Sequence, residues 1–277
     1  MSAAKVFLEY LRGLDEAKRM LRAGNVVLPF VLFASLQCLV LLALASFPFR
    51  PFSAFMVPVV EWLGGPNALH YPSHYLLLPE MYHRLYLPLV ATVGFALFGW
   101  AVFMMGDRFA REGARVPTAP SLARSLPAMV VVGVVYVAAA TAVPALFTWL
   151  GGLVKNDGLT RLVNLAGALG SVAVQALMVY ALLFIRTAGS GPVDALRRSA
   201  ACARSRFAVT ALLLLTVVLA HLPIDSLLAQ PDKVVLKFKP ELVLYLLAAG
   251  VLVELITSYI LFAATTSLVL SRREDPF

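Results

Sequence analysis

The chain alternates long apolar runs with short polar, basic segments, and this alternation predicts its main elements. Each run can form a helix of about 20 residues, the length that crosses a bilayer. The pattern therefore predicts an all-α polytopic membrane bundle of six transmembrane helices, arranged as three helical hairpins. The predicted spans cover residues 26–46, 86–105, 127–150, 162–185, 207–222 and 242–270. We expect them to form a single membrane domain over residues 1–277.

An amphipathic helix is predicted before the first span, over residues 3–22. Five apolar residues recur on one face at helical spacing, while charged residues occupy the others. The apolar residues are Phe7, Leu11, Leu14, Ala17 and Leu21. This pattern is typical of a helix that lies in the membrane interface, but it also fits a helix packed against its own neighbours. The span that follows is longer than the core of a signal peptide, about 7–15 residues, which favours an uncleaved anchor.

A second amphipathic helix is predicted just before the fifth span, over residues 192–204. Pro192 suits the first turn of a helix. Asp194 suits the positive N-terminal end of the dipole and can pair with Arg198 four residues on. Helical spacing predicts one narrow apolar face, made of Val193, Leu196, Ala200 and Ala203. The other faces are basic, through Arg197, Arg198, Arg204 and Arg206.

The longest loop is predicted between the first two spans. Six prolines fall between residues 47 and 84, and because proline removes a backbone donor, they predict that no long regular element forms there. A short interfacial helix is expected around residues 55–63. The aromatic residues of this region suit a belt at the membrane surface; they are Trp62, Tyr71, Tyr75, Tyr82 and Tyr86. Residues 223–240 are predicted to be a polar loop.

Composition supports a membrane location. Hydrophobic residues make up 61% of the chain and charged residues 14%, whereas soluble domains have about 45–50% and about 25%. The net charge of +8 raises the question of nucleic acid. However, the basic residues adjoin the apolar runs, and no RNA-binding, zinc-finger or phosphate-loop motif is present. The sequence therefore predicts no nucleic-acid partner, and membrane lipids instead.

The distribution of Lys and Arg predicts the topology. Of the 23 such residues, segments 1–24, 107–126, 186–206 and 271–277 hold 5, 4, 5 and 2, while the three intervening loops hold 2, 2 and 3. The positive-inside rule then places both termini in the cytoplasm. We expect a multi-pass protein of the bacterial inner membrane, with a eukaryotic membrane as the open alternative. Basic segments at residues 3–22, 121–125 and 192–204 each precede a hairpin, which suggests a three-fold pseudo-repeat.

One short motif resembles a known group of proteins. Residues Asp194-Ala195-Leu196-Arg197-Arg198-Ser199 resemble the E/D-A-L-x-x-S helix that precedes the fifth span in a loose group of bacterial six-span membrane proteins of unknown function. That group includes the membrane domain attached to some glycerophosphodiester phosphodiesterases. In layout the resemblance covers about residues 85–270. It implies a fold rather than a reaction, because these 277 residues hold no soluble hydrolase domain.

Glu254 is the most informative single residue, because it falls near the middle of the sixth span. An ionisable side chain at that depth is costly and is by default a candidate functional group. Ser258 lies one turn away on the same helix face. One hypothesis is a proton or substrate site. The other is a carboxyl that fixes helix packing by hydrogen bonding to Gln37 or Gln175.

Two further groups of side chains carry hypotheses. The basic residues Arg197, Arg198, Arg204 and Arg206 predict contact with anionic lipid head groups, although they also suffice to set topology. The four histidines fall on the extracytoplasmic side, and imidazoles with a nearby carboxylate can bind zinc. The metal candidates are His70, His74, Glu80, His83 and His221. Pro72 rules out an HExxH helix between the first two histidines.

No nucleophile elbow, phosphate loop or Cys–His zinc signature is present, so the sequence predicts no catalytic residue and no cofactor. The first hypothesis for function is a non-enzymatic integral inner-membrane protein: transporter-like, lipid-handling, or an assembly subunit with a membrane-protein partner. The alternative is a membrane-embedded enzyme with an extracytoplasmic His/Glu metal site.

Overall fold

The computed structural model describes residues 3–22, 24–111, 121–153 and 157–270, and this part of the chain is helical, without a strand. The α-helices are α1 (Ala3–Leu21), α2 (Leu28–Ala45), α3 (Ser53–Gly64), α4 (Ser73–Leu89), α5 (Phe95–Arg111), α6 (Leu122–Gly152), α7 (Asp157–Met178), α8 (Ala181–Ala188), α9 (Pro192–Ser205), α10 (Phe207–Leu228), α11 (Pro231–Lys237) and α12 (Leu242–Leu270).

Six helical stretches are long and apolar enough to cross a membrane. They are Asn25–Ala45, Ser73–Arg111, Leu122–Gly152, Leu169–Thr187, Phe207–Leu228 and Leu242–Leu270. The predicted all-α, six-span architecture is confirmed, and the chain is a multi-pass membrane protein. The second stretch has 39 residues, roughly 58 Å at 1.5 Å per residue. The hydrocarbon core is only about 30 Å thick, so the whole stretch cannot lie within it. Its first part, which carries charged residues, must extend beyond the core.

The spanning helices expose apolar faces at helical spacing. On α2, Leu28, Leu32, Leu39 and Leu42 are exposed, whereas Phe33, Gln37, Leu41 and Leu44 are buried. On α12, Tyr245, Leu252 and Ile256 are exposed. A helix that presents leucine and isoleucine along one side needs an apolar surrounding, which the lipid chains supply.

The described residues group into two compact units. The first comprises Met1–Pro29, Val90–Thr216 and Tyr259–Phe277, and the second comprises Phe30–Leu89 and Val217–Ser258. The basic stretches at residues 112–120 and 271–277, which contributed to the topology prediction, lie outside the described residues.

In the first unit, α1 is attached to the helices beside it. The Tyr259 hydroxyl donates to the Ala17 carbonyl at 2.7 Å, and the Tyr10 and Thr216 hydroxyls are 2.8 Å apart. Val6, Tyr10 and Leu14 pack against a buried cluster that includes Leu213 and Ala264. The packed side of α1 is therefore rotated from the predicted face, because Phe7, Leu11 and Leu21 are exposed. These contacts agree with the packed-helix alternative.

The basic helix before the fifth span forms as α9, but its buried face also differs from the predicted one. Ala195, Ser199 and Ala203 are buried, while Val193 is 78% exposed. Ser199 explains the rotation, because its hydroxyl donates to the Leu177 carbonyl at 2.6 Å and accepts from the Tyr180 N–H at 3.1 Å. The hydrogen bonds of Ser199 therefore determine which face of α9 is buried, whereas the spacing of apolar residues had predicted that Val193 lies on that face.

The basic segment at residues 121–125, which was predicted to precede the second hairpin, forms the N-cap and first turn of α6. The Ser121 side chain caps that helix by accepting from the Arg124 N–H at 3.4 Å. The first two hairpins of the predicted pseudo-repeat therefore do not begin alike: α1 is a separate helix, whereas residues 121–125 continue into the span.

The second unit contains the short helix that was expected around residues 55–63 and a longer helix that the sequence was predicted not to form. Ser53–Gly64 is helical despite Pro58, and Ser73–Leu89 is helical despite Pro79 and Pro88. The expectation that prolines forbid a long regular element here was wrong. Packing explains the difference, because Val60, Leu63, Leu78 and Met81 are all buried in the core of this unit. Residues 223–240 also depart from the predicted loop, since α10 continues through Pro223 to Leu228 and α11 follows.

Candidate functional site

A hydrogen-bonded polar network lies within the second unit and includes Glu254. The Tyr86 hydroxyl donates to Glu254 Oε1 at 2.6 Å. Gln37 is a second side-chain hydrogen-bond partner of the same carboxyl. The Gln37 side-chain oxygen in turn accepts from the Tyr82 hydroxyl at 2.6 Å. We call these four side chains the Glu254 network; it joins α2, α4 and α12.

Helical spacing explains why the network forms. Gln37 is 1% exposed and belongs to the buried side of α2, where Ala34 and Leu41 precede and follow it by one turn. Tyr82 and Tyr86 are four residues apart, so both hydroxyls come from one side of α4; their rings are 6.0 Å apart. Because Glu254 is residue 13 of the 29 in α12, the carboxyl lies near the middle of its span.

The network reduces the cost of a carboxyl in an apolar helix. An unpaired polar group in a hydrocarbon environment costs several kcal/mol, and here two partners satisfy the carboxyl. Hydrogen bonds between spanning helices also stabilise their association, by about 0.6 kcal/mol each on average. The arrangement can therefore hold three helices in register without binding any ligand.

Sequence reasoning identified Glu254 and Gln37 but assigned the tyrosines to another role. Tyr82 and Tyr86 were predicted as part of an aromatic belt, whereas their hydroxyls donate into the network. Their i, i+4 spacing just before an apolar run was the available signal. Of the other predicted members, Ser258 is half-buried in the same unit, one turn from Glu254, and Gln175 belongs to α7 in the first unit.

A buried arginine in the first unit was also missed. Arg186 is 2% exposed, although the sequence placed it only within the basic segment at residues 186–206. Its Nη2 donates to Asp107 Oδ1 at 2.6 Å, and its Nε donates to the Phe103 carbonyl at 3.3 Å. The guanidinium carbon also lies 5.8 Å from the centroid of the Phe103 ring, within range of a cation–π interaction. The ion pair joins α5 to α8.

The predicted metal ligands are dispersed. His74 is buried, with Nδ1 2.9 Å from the Ala68 carbonyl and its ring 4.5 Å from that of Phe47. His221 Nε2 lies 3.2 Å from the Thr257 hydroxyl. Glu80 forms an ion pair with Arg84, and His70 and His83 are exposed. Within the described ranges, no group of three His, Cys, Asp or Glu side chains is arranged to hold a metal ion.

The basic residues of α9 remain accessible for the most part. Arg197, Arg198 and Arg204 are exposed. Arg198 pairs with Asp194 at 3.0 Å, as its spacing predicted. Arg206 differs, because it is half-buried and donates to the Leu268 carbonyl. Three of the four arginines predicted to contact lipid are thus exposed at the surface. The fourth, Arg206, connects the end of α9 to α12 by a hydrogen bond.

Comparison with known proteins adds no assignment: no family model, no curated protein and no solved structure matches the chain.

Proposed function

We propose that the chain is a non-enzymatic integral membrane protein that acts as an assembly subunit, holding a partner protein in the plane of the membrane. The observation that supports this most is the use made of Glu254. Its carboxyl is bonded by Tyr86 and Gln37, both contributed by other helices of the same unit. The one ionisable group at mid-span of α12 therefore serves helix packing.

A transport role would place different demands on this carboxyl. A proton- or substrate-binding group must exchange with water or a ligand, so it is expected to line a cavity. The cleft between α3 and α4 of this unit does not include Glu254 among its lining residues. The alternative metal enzyme likewise lacks a supporting observation, because the five candidate ligands are dispersed.

Substitution of Glu254 tests the proposal. Glu254→Gln keeps the shape of the side chain and one acceptor oxygen for the Tyr86 hydroxyl, so we expect the thermal stability of the purified chain to stay close to that of the wild type. We also expect the same crosslinked complex in native membranes. Glu254→Leu removes the hydrogen bonds to Tyr86 and Gln37. It should lower the melting temperature of the chain and cause the crosslinked complex to be lost. Glu241→Gln, just before α12, is the matched charge control and should change neither.

Two outcomes would contradict the proposal. A wild-type chain that migrates as a monomer after crosslinking of native membranes has no partner to hold. A Glu254→Gln variant that melts like the wild type, but loses a proton-coupled solute flux in proteoliposomes, would make the carboxyl a transport group.

A second role follows from the exposed arginines of α9. We infer that Arg197 and Arg204, with Arg198, contact anionic lipid head groups on the cytoplasmic side of a bacterial inner membrane, where both termini lie. Surface lysine or arginine residues each contribute about 1 kcal/mol to such binding. The resemblance to the bacterial six-span proteins supports a shared fold and does not bear on these lipid contacts.

A further inference from the structure

A small polar cleft opens in the second unit, between the end of α3 and one side of α4. Its volume is about 200 Å³, and its walls include Glu61, Trp62, Leu77, Glu80, Met81 and Arg84. The residues from α4 follow the i, i+3, i+4, i+7 spacing of a single helix side. We call it the Glu61 cleft. Its volume is below the roughly 300–1,000 Å³ of sites for drug-sized molecules, so its ligand is small.

The floor of the cleft is fixed by close packing of the two helices. Gly64, the last residue of α3, has no room for a side chain, because a Cβ there would lie 2.6 Å from the Ala68 Cβ and 2.8 Å from the Met81 sulfur. Leu63 and Met81 are buried. The two helix segments that carry the polar wall residues therefore rest on a packed base.

The charges of the cleft leave one carboxylate without a partner. The Arg84 Nη1 donates to the Leu63 carbonyl at 2.6 Å, and its Nη2 pairs with Glu80. For Glu61, the described residues supply no hydrogen bond or ion pair to the carboxylate. One arginine and two glutamates give the cleft a net charge of about −1 at neutral pH. Glu61 is also in the last turn of α3, where the helix dipole favours a cation.

The residue next to Glu61 suits an organic cation rather than a metal ion. Trp62 is 79% exposed, and the indole face is the aromatic surface that attracts an ammonium group most strongly. Ca²⁺ and Mg²⁺ require several oxygen ligands, whereas the cleft has one unpaired carboxylate beside a guanidinium. We propose that the Glu61 cleft binds a small organic ammonium group, through the Glu61 carboxylate and the Trp62 ring.

The ammonium group has two possible sources, a soluble amine or the head group of an aminophospholipid. The surroundings favour the head group, because Phe52, Phe55 and Tyr71 of the same unit are exposed. Exposed aromatic side chains are typical of the membrane–water interface, at the depth of the head groups.

The first test measures binding of ethanolamine and of tetramethylammonium to the purified full chain by calorimetry. We expect Glu61→Gln to weaken binding of ethanolamine about tenfold, through the loss of one charge-assisted hydrogen bond, and to weaken binding of tetramethylammonium through the loss of the charge. Trp62→Leu should weaken binding of both cations. Asp232→Asn removes a charge at an exposed position of the same unit and should leave the affinity unchanged. Melting curves of all three variants check that they fold; because Glu61 and Trp62 are exposed, we expect wild-type curves.

The second test distinguishes the sources. The chain is placed in nanodiscs of mixed phosphatidylethanolamine, phosphatidylcholine and phosphatidylglycerol, and bound lipids are identified by native mass spectrometry. Enrichment of phosphatidylethanolamine that is lost in Glu61→Gln assigns the head group. Binding of the soluble amines without such enrichment assigns a soluble ligand. Absence of both, or binding that is equal in wild type and Glu61→Gln, overturns the proposal. None of these results depends on Glu254.

Discussion

At the scale of single residues, the apolar helices accommodate two ionisable side chains in different ways. Arg186 is paired with a charge, since Nη2 bonds to the Asp107 carboxylate. Glu254 is bonded by the neutral groups of Tyr86 and Gln37. Removing a partner has different consequences in the two cases: without Asp107, a buried cation remains uncompensated, whereas without Tyr86 the carboxyl keeps a second partner.

We therefore predict that Asp107→Ala lowers the free energy of unfolding of the chain. Breaking one partner of a fully buried ion pair costs about 3–5 kcal/mol. Because Asp107 is 59% exposed, solvent screening should reduce the loss to about 1–2 kcal/mol. Arg198→Ala is the control, because the Arg198–Asp194 pair is exposed on both sides, and it should change the free energy by less than about 1 kcal/mol. Reversible unfolding in mixed micelles measures both, and equal effects would contradict the assignment.

Gly106 provides a second prediction about the same arginine. A Cβ at Gly106 would overlap the Arg186 guanidinium, so Gly106→Ala must displace a buried side chain or move α5 away from α8. We expect a loss of about 1–3 kcal/mol in the free energy of unfolding, as in overpacked cores.

The matched control is Gly152→Ala at the end of α6. Among the described residues, nothing lies within 4 Å of a Cβ at Gly152, and alanine favours a helix by about 0.5–1 kcal/mol over glycine. That variant should be as stable as the wild type or slightly more stable. A Gly106→Ala chain with unchanged stability would mean that Arg186 has room to move.

At the scale of helices, tertiary packing overrides local propensity in the second unit. A proline inside a helix costs about 3 kcal/mol or more, and this cost led to the prediction of a loop between residues 47 and 84. The buried side chains of α3 and α4 recur at helical spacing, with Val60 and Leu63 on the first helix and Leu78 and Met81 on the second. Burying such a side chain contributes about 1.5–3 kcal/mol, so Val60 and Leu63 offset the one internal proline of α3. On α4, further partly buried side chains pack against the same cluster and add to Leu78 and Met81 against two internal prolines.

The exposed arginines of α9 give a prediction at the same scale. Replacing Arg197 and Arg204 together by Gln should weaken binding of phosphatidylglycerol relative to phosphatidylcholine. Two charges worth about 1 kcal/mol each correspond to a loss of about 30-fold. The measurement is lipid exchange in nanodiscs followed by native mass spectrometry. Because the attraction is electrostatic and exposed, the preference should also decline as salt is raised.

Val193→Ala is the matched control for this helix, since Val193 is exposed and carries no charge. It should leave the lipid preference unchanged. A double arginine variant with wild-type preference would show that these residues serve topology alone.

At the scale of the whole molecule, the spans could be predicted, whereas most contacts between them could not; Gln37 as a partner of Glu254 is the exception. Hydrophobic run length is a property of consecutive residues, so the ends of the spanning helices emerged from the sequence to within about seven residues, except that the second stretch begins at Ser73 and not at residue 86. The contact of Glu254 with Tyr86 joins residues 168 positions apart, and the Arg186–Asp107 pair joins residues 79 apart. Such pairings depend on which helices become neighbours, and a single sequence shows no signal for that. The rotated faces of α1 and α9 have the same origin, because hydrogen bonds to neighbouring helices decided them.

The topology is the last property that a direct measurement can decide. Six spans and the excess of Lys and Arg in alternate segments predict that α3 and α11 lie outside the cytoplasm, while α9 lies inside. Single cysteines in a chain without Cys38 and Cys202 test this in intact cells. A membrane-impermeant maleimide should label Asn67→Cys and Asp232→Cys, both exposed positions.

Ala201→Cys on α9, which is also exposed, should react only after the cells are opened. The reverse pattern would invert the orientation and place the arginines of α9 on the side of the membrane with fewer anionic lipids, thereby removing the basis for their proposed lipid contacts. Labelling of Asn67→Cys and Asp232→Cys from opposite sides would be more consequential. The helices between these positions would then cross the membrane an odd number of times, and the six-span topology itself would have to be revised.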